Sequence, residues 1–196
     1  WEYWGIVTPT HIIGLTIASL DYAGLMSIYA LNRTTGEEIA RDAVTLLGRR
    51  VTLAPRVALG HSEARSRSIA IRFDDNGVVT SLQAEASRIS LELNVLHQPH
   101  HDTLCVVVPW SPRRFQYTVK DVGRPVAGSL TIDGTTLPVE PTDSFAVLDH
   151  GRGVWPRRVT WNWAAAAAVG GMSFSLGSKW TDGTGMTERL RRRRST

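Results

Sequence analysis

About a dozen short apolar runs, broken by turn residues at a spacing of roughly 8–12 positions, constrain this chain more than any other feature. Two of these runs meet at Asn76-Gly77 and two more at Asp133-Gly134. Asn-Gly and Asp-Gly suit a tight hairpin, because both central residues of a type I′ turn need φ > 0. The flanks alternate. Ser68-Ile69-Ala70-Ile71-Arg72-Phe73 and Ile89-Ser90-Leu91-Glu92-Leu93-Asn94-Val95 put apolar side chains at every second position. Period two describes a strand with one buried and one wet face. Residues 12–18, 24–31, 78–84, 115–119, 126–132, 135–139, 145–148 and 172–176 continue the series. Residues 103–108 form a wholly apolar strand that is expected to stop at Pro109. The alanines at 164–168 suit a short helix or a strand equally, set between Trp161-Asn162-Trp163 and Gly170-Gly171. This pattern predicts an all-β, antiparallel fold, a barrel or β-sandwich. No repeat, low-complexity linker or domain boundary interrupts it.

Charge excludes some partners. The 196 residues carry 22 Lys+Arg against 18 Asp+Glu, a formal net charge of +4, with a pI near 9.7. Five of the arginines (Arg189, Arg191, Arg192, Arg193 and Arg194) fall in the last eight residues. Taking five from 22 leaves 17 basic groups against 18 acidic ones, so the rest of the chain is at −1. A near-neutral body has no basic face for a phosphate backbone, and no nucleic-acid partner is expected. No apolar run approaches the ~20 residues of a spanning helix, so no transmembrane segment is expected. The expected location is cytoplasmic. One cysteine, Cys105, excludes an internal disulfide framework and a Cys-rich zinc module. Inside its apolar run it is expected to be buried and inert.

The basic residues are 20 Arg and only two Lys, Lys120 and Lys179, as in a GC-rich, bacterial coding sequence. The chain opens Trp1-Glu2-Tyr3-Trp4 without an initiator Met, so a portion of a longer chain or a removed leader is expected. Residues 189–196 are expected to be a disordered tail or a frameshifted fragment end.

Four stretches carry side chains with chemistry. Asp149-His150-Gly151-Arg152-Gly153-Val154-Trp155-Pro156 packs a carboxylate, an imidazole, a guanidinium and an indole together. Asp149 and His150 suit an acid/base couple. Alternatively the stretch is a loop in which Arg152 stacks on Trp155 and Asp149 caps backbone amides. Trp161 and Trp163 share one face of a strand, and with Trp155 and Trp180 they suit either the wall of an apolar cavity or a core plug. Lys179 and Asp182 suit a cavity mouth or a surface ion pair, and Lys120-Asp121 raises the same two possibilities. His97-Gln98-Pro99-His100-His101-Asp102 offers three imidazoles. Pro99 argues against a helix that presents His97 and His101 together, so a solvated loop is expected, and no metal.

Several of these stretches resemble one family. They are Trp1-Glu2-Tyr3-Trp4-Gly5-Ile6, Leu20-Asp21-Tyr22-Ala23-Gly24, His101-Asp102-Thr103-Leu104, Val108-Pro109-Trp110-Ser111, Arg114-Phe115-Gln116-Tyr117-Thr118, Asp149-His150-Gly151-Arg152-Gly153 and Lys179-Trp180-Thr181-Asp182-Gly183-Thr184-Gly185. Together they resemble the bacterial domain of unknown function 2804 (DUF2804) over residues 1–188. That family is similar in turn to the lipocalin-like carotenoid hydratase and tocopherol cyclase group, whose members are paired barrels handling apolar molecules. The resemblance implies a lipocalin-like barrel, here a truncated part of a double barrel, and assigns no activity.

The expected function is binding of an apolar or amphipathic small molecule, without a cofactor. Trp155, Trp161, Trp163 and Trp180 would line the cavity, and Asp149, His150, Arg152, Lys179 and Asp182 would orient the ligand. One alternative is a lyase or isomerase in which Asp149 and His150 transfer protons. Another is a structural or interaction domain whose indoles only fill a core.

Overall fold

A computed structural model of the protein describes residues 1–57, 59–156, 162–168, 172–178 and 187–192. The alternating segments become strands, and all pairings are antiparallel. In chain order the first eight are β1 (Glu2–Val7), β2 (His11–Ser19), β3 (Ala23–Asn32), β4 (Glu38–Leu46), β5 (Val51–Thr52), β6 (Gly60–Arg65), β7 (Ile69–Asp75) and β8 (Val79–Ala86). Then come β9 (Ile89–Leu96), β10 (Leu104–Ser111), β11 (Arg114–Ile132), β12 (Thr135–Val139), β13 (Phe145–Val154), β14 (Asn162–Ala167), β15 (Ser173–Ser178) and β16 (Thr187–Arg192).

One sheet runs β4-β3-β2-β1-β13-β11-β9-β8-β7-β6-β5, with β10 and β12 also paired to β11. It curls into a half-barrel, so that β2, β3 and β4 face β5, β6 and β7. A smaller sheet, β14-β15-β16, lies against β11. No described helix is long and apolar enough to cross a membrane.

The alternation decides what the curl encloses. Every second side chain of β1–β3 points inward, and Ile6, Ile13, Leu15, Met26 and Ile28 lose all or nearly all contact with solvent. They meet Ile71, Phe73, Leu82 and Leu93 from the facing strands in one continuous core. Each such side chain contributes roughly 1.5–3 kcal/mol by leaving water. Both hairpins form, but only Asp133-Gly134 has both central residues at positive φ (+48° and +80°); at Asn76-Gly77 only Gly77 does (+83°).

Three details differ from the pattern in the sequence. Segments 115–119 and 126–132 are one strand, β11. A register shift between Val122 and Arg124, with Gly123 at φ +86°, bends it without ending it. Strand β10 runs through Pro109: among the described residues β10 pairs with β11 alone, and an edge strand tolerates a proline. Cys105 is exposed and not buried: opposite Val119 on β11 it points inward, where it borders an open cavity and not packed core. Of the two alternatives left open for the alanines, 164–167 take the strand, as part of β14. Within the Arg-rich end, residues up to Arg192 belong to β16, paired with β15, and residues 193–196 lie outside the described residues.

Replacing Ile28 by Ala should lower unfolding stability by roughly 2–5 kcal/mol. Val44→Ala, at a position 66% exposed, should change it by less than about 0.5 kcal/mol. Urea unfolding of the two variants measures the difference directly.

Candidate functional site

Pairing of β1 with β13 sets Glu2 opposite His150, Tyr3 opposite Asp149 and Trp4 opposite Leu148. Successive strand side chains leave by opposite faces. Glu2, Trp4, Leu148 and His150 therefore point into the half-barrel, and Tyr3 and Asp149 point out of it. The adjacent Asp149 and His150 are thus separated by the sheet and do not form a couple. Asp149 forms an ion pair with Lys120 and accepts a hydrogen bond from Trp1 Nε1 at 3.3 Å. His150 is 4% exposed. Burial, with nearby positive charges adding to it, pushes its imidazole down to about 4, so the ring is neutral at pH 7.

The other anticipated residues divide between the two faces. Arg152 donates to the carbonyls of Ala54 at 2.8 Å and Pro55 at 3.1 Å, which ties down the connection between β5 and β6. Trp155 packs against Trp1 and Trp110, with ring centroids 5.2 and 5.6 Å away. Trp163 donates from Nε1 to Ser175 at 2.9 Å, and its ring lies 4.4 Å from the Lys120 ammonium. Trp161, Lys179, Trp180 and Asp182 lie outside the described residues.

On the inner face a cavity of about 180 Å³ opens at one end of the core. Trp4, Val119 and Leu148 supply apolar wall, and Tyr117, Cys105, Asp75, His97 and Asp121 supply polar groups. A smaller void beside it is bounded by Glu2, Ser62 and His150, and Asp75 walls both.

The carboxyl groups here sit in contrasting surroundings. Glu2 is half-buried at the residue level, and the desolvation of its carboxyl pushes its pKa up. The Asp75 charge adds to the rise, and hydrogen bonds from Ser62 Oγ (2.6 Å) and Trp4 Nε1 (2.9 Å) only partly oppose it. Asp121 is buried, which alone would raise it. Hydrogen bonds from His101 Nε2 and Arg124 Nε, both at 2.6 Å, outweigh burial and hold the carboxyl below its usual range. Asp75 accepts from Thr80 Oγ1 at 2.5 Å and lies 3.3 Å from His97 Nε2. Two carboxyls with proton affinities pushed apart, Glu2 at the smaller void and Asp121 at the larger cavity, are the raw material of acid/base chemistry.

The loop at 97–102 is therefore only partly solvated. His100 is exposed, but His97 and His101 turn inward, His97 to the half-buried Asp75 and His101 to the buried Asp121. Among the described residues no three His, Cys, Asp or Glu side chains converge as metal ligands. Glu2 and Asp75 carry no motif that marks them. The available signal is position: Glu2 opens an apolar strand between two indoles, and Asp75 ends one beside a turn.

Two crystal structures share the fold. Kievitone hydratase from Nectria haematococca superposes with a TM-score of 0.64 at 12% identity, over 97% of this chain and 60% of that one. A protein assigned as AttH from Nitrosomonas europaea gives 0.61 at 12% identity, over 97% of this chain and 68% of that one. The chain thus spans about 60% of the length of the hydratase. No curated protein matches the sequence. The model of the domain of unknown function DUF2804 matches residues 1–190, and the chain belongs to that family.

Proposed function

We propose that this chain binds a small, partly apolar molecule in the inner cavity. The observation that carries this is the cavity itself, about 180 Å³ with an apolar wall of Trp4, Val119 and Leu148 and polar groups gathered at its rim. That composition, a mostly apolar hollow with a few convergent polar groups, is the usual make-up of a small-molecule site. Trp4 and Leu148 grip the body of the ligand, and the Tyr117 hydroxyl meets its polar end. The indoles at 155 and 163 fall on the other side of the sheet and take no part in this site.

A second reading, a lyase or isomerase, is favoured by the opposed shifts of Glu2 and Asp121. In it Glu2 gives up a proton and the ionised Asp121 holds the His101 imidazole in position. The shared fold with a hydratase is compatible with this and does not choose between the readings.

Leu148→Trp fills the cavity. Native mass spectrometry of the purified 196-residue chain should show a co-purifying small molecule that is absent from this variant. A clean apo mass for both, with no ligand recovered by solvent extraction, would count against binding. In the carrier reading Glu2→Gln keeps the ligand, whereas in the enzyme reading the same change abolishes turnover of it.

The Glu2 shift also has a sign in stability. Its folded pKa lies above the unfolded value of about 4.3. The folded state therefore holds the proton longer, and stability falls as pH rises through the folded pKa. Glu2→Gln removes that slope. The variant should gain on the natural chain between pH 4 and pH 7, as measured by thermal unfolding; an unchanged difference across that range refutes the raised pKa.

A further inference from the structure

Alternation along β11 from Gln116, Thr118 and Lys120 would send Arg124 out by the outer face. The register shift between Val122 and Arg124 reverses it and sets Arg124 opposite the core residue Ala146. Arg124 therefore lines the inner cavity, 9% exposed. Only one of its nitrogens is committed: Nε donates to Asp121 Oδ2 at 2.6 Å. Among the described residues the two terminal nitrogens have no hydrogen-bond partner. Nor are they sealed in packed core, as the Gln116 amide is. They border open space, and the open space beside this nearly buried side chain is the cavity. A guanidinium holds its donors in a fixed fork and has no acceptor. The far edge of that fork is unused.

The rest of the wall describes what those donors take. Along β11 the inward order is Tyr117, Val119, Asp121, Arg124, so a hydroxyl and a guanidinium stand on either side of apolar Val119. Trp4 and Leu148 extend the apolar stretch across β1 and β13. The charges are already matched. Two carboxylates, Asp75 and Asp121, share the wall with the one guanidinium. Asp121 accepts from Arg124 and His101, and Asp75 accepts from Thr80 and lies beside His97. An anionic ligand would sit near both carboxylates with its charge uncompensated. A neutral oxygen asks only for donors. Size sets a further bound. An apolar cavity of about 150 Å³ admits benzene, so about 180 Å³ admits one substituted ring.

We propose that the ligand of the inner cavity is a single-ring molecule with an uncharged carbonyl oxygen, as in a ketone, aldehyde or ester, and that the terminal nitrogens of Arg124 donate to that oxygen. This rests on the reading of the cavity as a small-molecule site. The ring lies against Trp4 and Leu148, the carbonyl meets Arg124, and a polar group at the other end meets the Tyr117 hydroxyl. Asp121 fixes the guanidinium through Nε, so the free edge of the fork is set before the ligand enters and little ordering is left to the binding step.

The test titrates the 196-residue chain at pH 7 with three probes that share one ring. They are 4-hydroxyacetophenone, 4-ethylphenol, which lacks the carbonyl, and 4-hydroxybenzoate, which replaces it by a carboxylate. Ligand-observed NMR gives each Kd. The ketone should bind at least about tenfold more tightly than either of the others, the contribution of a hydrogen bond to a charged group. Arg124→Lys keeps a cation for Asp121 and loses the fork, and should bring the ketone level with 4-ethylphenol. Leu148→Trp should abolish binding of the ketone, which locates it in the cavity. The proposal is overturned if 4-ethylphenol or 4-hydroxybenzoate binds as tightly as the ketone, or if Arg124→Lys leaves the ketone's advantage intact. In those cases the cavity still holds a ring, and the reading of it as a small-molecule site stands. If no probe binds, or Leu148→Trp binds the ketone as well as the natural chain does, both fall. Should Arg124→Lys fail to fold, the order of the three probes on the natural chain decides alone.

Discussion

The 19-residue strand β11 is the member on which the rest of the structure depends. Its first part pairs with β10 and β13, and its second part with β9 and β12. One strand thus joins the two halves of the curled sheet, and the bend at Gly123 sets the angle between them. A Cβ at Gly123 would come within 2.9 Å of Ser173, so the same residue also brings β15 close to β11. A side chain there would strain the left-handed backbone and push the small sheet away. The curl, the inner cavity and the cover over the outer face all follow from this one bent strand.

Alternation along β11 and β13 then divides the chemistry. Val119, Asp121, Leu148 and His150 go inward, and Gln116, Thr118, Lys120 and Asp149 go outward. The division leaves two polar networks back to back, separated by one sheet. In the inner network the carboxylates of Asp75 and Asp121 are held by His97, His101 and Arg124. In the outer one Lys120 is balanced by Asp149, and the Gln116 amide is left over. Buried polar groups cost stability unless paired, so the leftover amide is a cost that the rest of the fold offsets.

Much of the fold was legible in the sequence. The alternation in segments 69–75 and 89–95, and the Asn76-Gly77 and Asp133-Gly134 turns, located hairpins that form as expected. Strands β5 and β6 were not legible. Gly60-His61-Ser62-Glu63-Ala64-Arg65 has no large apolar side chain at its inward positions, since Ser62 and Ala64 fill them. Ser62 is small there because it bonds the Glu2 carboxyl, a partner 60 positions away. The candidate site was legible in part. Asp149, Arg152, Trp155 and Trp163 stood out as unusual, but nothing local assigned them to faces. Glu2, Asp75 and Gln116 are ordinary residues in strands. Burial and the identity of their neighbours make them chemically distinctive, and neither is a property of the local sequence.

By itself, then, the sequence determined an all-β antiparallel chain with a near-neutral body, and the turns that join neighbouring strands. Those depend on period-two patterning and on residues that tolerate φ > 0, which act over a few positions. Only the tertiary structure decided which side chains share a cavity. Pairing β1 with β13 brought Glu2 to His150 across nearly 150 residues, and the pleat sent the adjacent Asp149 and His150 to opposite sides. Long-range register and the curl of the sheet are set by the packing of the whole core, and so is the surrounding that makes His150 neutral, raises Glu2 and leaves Gln116 without a hydrogen-bond partner among the described residues.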